Sequence, residues 1–253
     1  MEAMVYFIGI GPGDPELLTL KAWKIIKNSQ VIIYPGSLIN PEMIDFFKKE
    51  VPKAEMHDSS YLSLEDIIAL IEKAIRENKK VARLVSGDPA FYSAIQEQIE
   101  VLRKKEIPYE IIPGISSAVA GAAKLGIELT YPDLSHTIIF TRIAGKTGGA
   151  TSKEIKRLAL KKATLVFFLS VSYVEELKKI LLKVLSPDTP IAILYRLTQK
   201  DEKILFGTLK ELNILVKKEN IKKTALIYVG EVLNCVFKNL GKRSKLYGKS
   251  KKF

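Results

Sequence analysis

Cysteine is almost missing: Cys235 stands alone among 253 residues, beside only two histidines, His57 and His136. One thiol cannot close an internal disulfide, and one Cys with two His falls short of a structural zinc set, so no protein-bound metal is expected. The core must hold the chain together, and a reducing compartment suits it. Basic residues are absent before Lys21, which matches neither a secretory nor a mitochondrial leader, so a cytoplasmic location is expected. Long apolar runs are absent too. The uncharged stretch 111–123 is broken by Pro113-Gly114 and two serines, and it is shorter than the ~20 apolar residues a membrane helix requires. No membrane partner is expected.

Hydrophobic residues reach 47% and charged ones 27%, enough apolar material for a self-supporting fold. The length suits two domains of roughly 100–150 residues each. The formal net charge of +12 suggests nucleic acid, but seven of those charges lie in residues 238–253, where Lys238, Lys242, Arg243, Lys245, Lys249, Lys251 and Lys252 meet no acid. The rest is mildly basic. That distribution points away from nucleic acid and towards a solvated tail on a body suited to an anionic substrate.

Short β-branched runs alternate with segments of helical period, the pattern of βαβ units and mainly parallel sheets. In the first half strands are expected at 5–10, 31–34, 81–85 and 109–112, and helices near 15–27, 41–49, 64–77 and 91–104. In the second half strands are expected near 137–141, 163–169, 191–195 and 225–229, with a short one at 204–206. Helices there fall near 116–125, 153–161, 174–185 and 209–217. Three glycines among residues 145–151 predict a mobile loop over a site. The division is an α/β domain at 1–114, a second at 115–237 and a basic tail at 238–253.

Three strands run into similar turns: Gly9-Ile10-Gly11-Pro12-Gly13-Asp14-Pro15, Ser86-Gly87-Asp88-Pro89 and Pro113-Gly114-Ile115-Ser116-Ser117. Glycine permits close approach by a ligand, Asp can cap the next helix, and Pro suits its first turn. Each turn alone reads equally well as a tight turn with a cap. Together they place ligand-permissive backbone at the carboxyl ends of parallel strands, where open α/β sheets bind ligands. The first is not a dinucleotide fingerprint, because the third glycine position holds Asp14 and Pro12 has no amide to offer.

In order and spacing, these three turns resemble the signature of the tetrapyrrole (corrin/porphyrin) methylases, over residues 4–233. Tyr34-Pro35-Gly36-Ser37-Leu38-Ile39 and Pro132-Asp133-Leu134-Ser135-His136-Thr137, followed by Phe140-Thr141-Arg142, resemble the precorrin-4 C(11)-methyltransferase subgroup of cobalamin synthesis. Pro35 departs from the subgroup, where a small residue such as alanine is expected. The resemblance implies two α/β domains with S-adenosylmethionine (SAM) in the cleft between them, S-adenosylhomocysteine as product and a homodimer. It implies cofactor contacts from Pro12, Gly87, Asp88, Phe91, Ser116, Ser117, Leu169 and Leu197. Of Phe167 and Phe168, at least one should be strand core, since alternate residues face opposite sides.

A tetrapyrrole carries carboxylates around a flat apolar ring, so its site should combine apolar walls with Arg and Lys. Arg142, Lys146 and Arg196 are the candidate carboxylate partners, with Ser37, Tyr61 and Tyr92 as further contacts. Each could equally be a surface charge or a core-edge residue. Asp14, Asp88 and Asp133 lie nearest the turns but read as caps or turn residues, so no general base is named. Three other functions remain open: another tetrapyrrole methylase, an rRNA or diphthamide-pathway methyltransferase whose RNA binding would weaken steeply with salt, or a non-catalytic ligand-binding protein.

Overall fold

A computed structural model describes residues 3–132, 134–145, 148–160 and 162–238. The chain divides into two compact units, Met1–Ala120 and Gly121–Phe253.

The first unit is built on a five-stranded sheet of β1 (Val5–Gly9), β2 (Val31–Tyr34), β3 (Glu55–Asp58), β4 (Val81–Val85) and β5 (Tyr109–Ile112), in the order β3-β2-β4-β1-β5. Every pair is parallel. Strands covered on both faces need apolar residues at successive positions, which is why Ile32 and Ile33, or Phe7 and Ile8, are both fully buried. Phe7, Ile33 and Val81 pack with α3 (Leu64–Arg76) and α4 (Ile95–Lys104) through Ile68, Ile71, Ile99 and Leu102. Ile8, Ile32 and Leu84 face α1 (Leu20–Lys27) and α2 (Pro41–Glu50) through Ala22, Ile26, Met43 and Phe47. Each such large apolar side chain contributes about 1.5–3 kcal/mol on burial.

The one strand the sequence pattern does not reveal is β3, whose Glu-Met-His-Asp has no apolar run. It is an edge strand, and pairing with β2 rather than burial makes it extended. Two helices also start later than expected. After a 3-10 turn at Pro15–Leu17, Thr19 restarts the chain as α1, its hydroxyl accepting from the Ala22 amide at 3.2 Å. The helix expected from residue 91 begins only at Ile95, because Tyr92 and Ala94 adopt left-handed φ of 54° and 53°. A buried cation sits on β4: the Arg83 Nε donates to Gln98 Oε1 at 3.2 Å, and its Nη1 donates to the Leu84 and Ile33 carbonyls. Burial pulls its guanidinium down to about 10, still protonated at neutral pH.

The helix α5 (Ser117–Leu125) follows β5, and the division between units falls within it. The second unit holds β6 (Ile138–Thr141), β7 (Thr164–Phe167), β8 (Pro190–Tyr195), β9 (Lys203–Thr208) and β10 (Ala225–Val229), in the order β6-β7-β10-β8-β9. This sheet is mixed, not mainly parallel. Strands β6, β7 and β8 share one direction while β9 and β10 oppose them. Alternation of strand and helix in the sequence does not reveal direction. Residues 196–202 are too few for a parallel crossover, which needs about a dozen or more, so β9 returns along β8. Three helices, α6 (Ser152–Ala159), α7 (Val174–Leu181) and α8 (Leu212–Lys218), cover one face through Ile155, Leu177, Leu181 and Leu212. On the other face Tyr228 is fully buried.

Of residues 145–151, expected as a loop over a site, those described are tied by backbone bonds. Gly145 and Gly148 exchange backbone hydrogen bonds of 3.2 and 3.1 Å, and the Ala150 amide donates to the Arg142 carbonyl at 2.8 Å. Two of these residues, Lys146 and Thr147, lie outside the described residues. Among those described, no helix is long and apolar enough to cross a membrane.

Candidate functional site

In the sheet order, β4, β1 and β5 are neighbours, so the turns that follow them emerge side by side at the carboxyl edge. They are joined by backbone bonds. The Gly11 amide donates to the Gly87 carbonyl at 3.2 Å, and the Gly87 amide returns a bond to Gly11 at 2.8 Å. Gly11 and Gly87 have φ of +76° and +71°, in the left-handed region that favours glycine. Asp88 links the second turn to the third. Its Oδ1 accepts from the Ala90 amide at 2.7 Å, and its Oδ2 accepts from the Gly114 amide at 2.9 Å. Asp14 caps the short turn after β1, its Oδ1 accepting from the Glu16 amide at 2.9 Å.

The packing leaves no room for side chains where the turns touch. A Cβ at Gly9 would sit 2.6 Å from the Gly114 amide nitrogen, and one at Gly114 would sit 2.3 Å from the Gly87 carbonyl oxygen. Gly87 is different. A Cβ there meets nothing closer than 3.9 Å, the Ser117 nitrogen, so the space beside it is open and lined by Ser116 and Ser117. Of the expected cofactor residues, the first unit therefore brings Gly87, Asp88, Ser116 and Ser117 together. Pro12 lies buried between Gly11 and Gly13, and Phe91 is partly exposed behind Asp88, to whose carbonyl its amide donates.

In the second unit, Leu169 follows β7 with φ of 49° and a side chain 57% exposed, so it stands out from the sheet edge. Its neighbours are fixed. The Ser170 hydroxyl donates to the Phe168 carbonyl at 2.6 Å and accepts from the Ile143 amide at 3.1 Å. Phe167 is core, while Phe168 meets Phe140 edge to face on the opposite side. Leu197, 5% exposed, points inward between two left-handed residues, Arg196 and Thr198.

The candidate carboxylate partners differ in how they are held. Arg142 is half-buried just after β6. The Arg196 guanidinium is engaged within its own loop, with Nε on Gln199 at 3.0 Å and Nη1 paired with Asp201 at 2.7 Å. Lys146 and Asp133 lie outside the described residues. Tyr61 is 96% exposed and Ser37 exposed, both near the ends of β2 and β3, whereas Tyr92 lies at the entry to α4.

A network that the sequence did not disclose pins the loop after β2. Asp58 Oδ1 accepts from the Gly36 amide at 2.9 Å, the Ser60 amide at 2.8 Å and the Ser60 hydroxyl at 2.6 Å, and the Ser37 amide donates to that hydroxyl at 2.8 Å. A Cβ at Gly36 would fall 2.2 Å from the carboxylate, which accounts for the glycine. The Ser60 hydroxyl, more than the Ser60 and Gly36 amides, holds the Asp58 carboxyl below its ordinary value. Burial and the nearby Asp58 charge both push the Tyr34 phenol up. Asp58 ends the strand that the apolar pattern does not mark, so the signal available was only Asp-Ser-Ser after a Pro-Lys turn.

The family model for tetrapyrrole (corrin/porphyrin) methylases matches residues 4–213. The chain belongs to this family. A cobalt-precorrin-4 C(11)-methyltransferase of Methanocaldococcus jannaschii is 46% identical over 247 residues, covering 97% of this chain and 93% of that protein. Among solved structures, a cobalt precorrin-4 methyltransferase described as a cobalamin biosynthetic enzyme superposes with a TM-score of 0.86 at 37% identity, covering 91% of this chain and 95% of that one. A uroporphyrin-III C-methyltransferase of Thermus thermophilus, complexed with S-adenosylhomocysteine, superposes with a TM-score of 0.72 at 27% identity, covering 96% and 98%. In this methylase the loop that Asp58 pins reaches the joined turns through Asn40, whose Nδ2 donates to the Gly13 carbonyl at 3.2 Å.

Proposed function

We propose that this methylase transfers the methyl group of SAM to carbon 11 of cobalt-precorrin-4, or of its metal-free counterpart, giving the corresponding precorrin-5 in cobalamin biosynthesis. The observation that carries the reading is the joining of three turns through Gly11, Gly87, Asp88 and Gly114, in a chain 46% identical to a relative of that name.

The reaction is an in-line displacement. A carbon–carbon bond forms at the ring as the S–CH₃ bond breaks, S-adenosylhomocysteine leaves, and a proton is lost from the methylated system. The sulfonium brings its own leaving group, so the chemistry calls for no protein nucleophile. Positioning supplies the rate: a near-attack pose is worth roughly 7–11 kcal/mol.

The residues divide that work. Pro12, Gly87, Ser116 and Ser117 offer backbone and open space to SAM, with Phe91 as an apolar contact. Asp88 acts mainly through the turn, since both its oxygens already hold amides. Leu169 offers an exposed side chain, and Leu197 its main chain. Arg142 is the first choice for a substrate carboxylate, because Arg can grip one through two parallel bonds. Lys146 is assigned the same role. Arg196 could serve only by giving up Asp201. Ser37, Tyr61 and Tyr92 complete the substrate contacts, and the active form is a homodimer, which sedimentation of the pure protein tests.

The deciding experiment is single-turnover transfer from radiolabelled SAM to precorrin-4 and to cobalt-precorrin-4 under anaerobic conditions, with mass spectrometry and NMR locating the methyl. One methyl at carbon 11 is the expected result. Transfer to another ring position, or to uroporphyrinogen III alone, would overturn the assignment while leaving the family intact.

A further inference from the structure

Asn40 closes the loop that begins after β2 and stands immediately before α2, where it is 6% exposed. At this N-cap position an asparagine ordinarily turns its Oδ1 to the second or third amide of the helix. Here it makes no such bond, and Pro41 has no amide to offer. The side-chain amide is turned the other way, its Nδ2 donating to the Gly13 carbonyl at 3.2 Å. A carbonyl only accepts, so the nitrogen must face Gly13. The Oδ1 left behind is the one buried side-chain polar atom without a hydrogen-bond partner among the described residues.

An unmet buried acceptor and a forgone helix cap both cost stability. Gly13 belongs to the turn after β1, where Gly11 is paired with Gly87 and Gly13 itself has φ of +151°. On the Gly87 side the turn is held by backbone bonds, and on the Gly13 side by the Asn40 side chain. We propose that Asn40 is a positioning residue for SAM: it fixes the Gly13 end of the cofactor turn at the expense of its own helix cap. The same side chain ties that turn to the loop bearing Ser37, whose opposite end Asp58 secures. The inference rests on the reading of this turn as the SAM site.

Stability and cofactor affinity should therefore respond differently to the loss of this side chain. Asn40→Ala removes the tether and the orphaned oxygen together, exchanging one unmet acceptor for another at the Gly13 carbonyl, and loses no cap bond, because none is made. Asn40→Ser removes the tether and supplies a favourable cap. Full-length variants are compared with wild type by thermal unfolding without ligand, by calorimetric titration with SAM, and by the KM and kcat for SAM. Expected in both variants are an unfolding temperature at or above wild type, a SAM dissociation constant about fivefold weaker, as the loss of one neutral hydrogen bond implies, and a KM that rises more than kcat falls. Unchanged affinity in both variants overturns the proposal. So does a loss of affinity that follows a fall in unfolding temperature in both, since that marks a merely structural residue. Wild type that fails to bind SAM defeats the functional reading itself and the inference with it; normal wild-type binding with unaffected variants defeats the inference alone.

Discussion

Replacing Gly9 by alanine tests whether contact between the turns, rather than backbone freedom, makes glycine necessary there. Gly9 ends β1 and is paired in register with Val85, and its φ lies outside the left-handed region, so alanine meets no backbone penalty. The obstacle is steric. The new Cβ falls 2.6 Å from the Gly114 nitrogen, 2.7 Å from its Cα and 2.7 Å from Pro89 Cδ. Two of those atoms are backbone of the neighbouring turn and the third is a rigid ring, so no flexible side-chain end can swing aside. Forcing a methyl into packed surroundings costs about 1–3 kcal/mol, and contacts this short with backbone place Gly9→Ala near 3. For a chain of this size that lowers the unfolding temperature by roughly 6–12 °C.

Gly126→Ala serves as the comparison. Gly126 has φ of +66° and nothing within 4 Å of an added Cβ, so its cost is backbone strain of about 1–2 kcal/mol. The two variants separate further in SAM titration. Gly9→Ala must push Gly114 and the Ser116–Ser117 backbone behind it away from Gly87, weakening SAM binding at least tenfold, about 1.4 kcal/mol, whereas Gly126→Ala leaves the affinity within twofold. Gly9→Ala with wild-type unfolding temperature and SAM affinity would refute the account of the turns as a close-packed unit.

Three further outcomes are expected. In the second unit, a Cβ at Gly121 falls 2.2 Å from Tyr228 Oη and 2.9 Å from a Leu194 methyl; Gly121→Ala should cost about 2–3 kcal/mol in chemical unfolding, and Tyr228→Phe should recover part of it in the double variant, a coupling that independent sites would not give. Gln98→Leu leaves Arg83 Nε without its side-chain acceptor, so it should cost about 1.5–3 kcal/mol, more than Gln96→Leu on the exposed face of the same helix, as paired denaturation curves will show. The Asp58 carboxyl is lowered on folding, so its contribution is present above its ordinary value of 3.8 and disappears as pH falls through the folded value. Unfolding temperature measured from pH 7 down to about 2.5 should therefore fall less steeply at the acid end in Asp58→Asn than in wild type, and equal slopes would count against the network.

The first sheet was legible because parallel strands covered on both faces read as near-continuous apolar runs, broken in β2, β4 and β5 only by Arg83 and by Glu110 of the edge strand β5, and the expected bounds 31–34, 81–85 and 109–112 match the strands to the residue. The second was legible as strands and helices but not as a sheet. Direction is set by connections and pairing partners, and in residues 190–208 the decisive fact is a connection too short for a crossover, adjacent to a strand that reads weakly. Helix starts fared worst where backbone conformation overrides periodicity. Residues 91–94 belong to the apolar pattern of α4, yet left-handed Tyr92 and Ala94 keep them in the turn.

The site divides along the same physical line. Glycine and proline write backbone geometry into the sequence, so the three turns could be found and assigned to the carboxyl ends of parallel strands, whereas the adjacency of β4, β1 and β5 appears only in the sheet order. What holds the turns is polar and long-range: Asp88 reaches Gly114, Asn40 reaches Gly13, and Asp58 reaches Gly36. Asn, Asp and Ser in such positions read locally as caps and turn residues, yet Asp88 caps no helix, since Ala94 stands at the start of α4; it closes its own turn and bridges to the next. Nothing in local sequence distinguishes an Asn that caps its own helix from one that turns its amide to another loop. The difference appears only as an unmet oxygen beneath the turn, and that is why the Asn40 variants, in which stability and affinity should part company, probe a feature that neither composition nor spacing could supply.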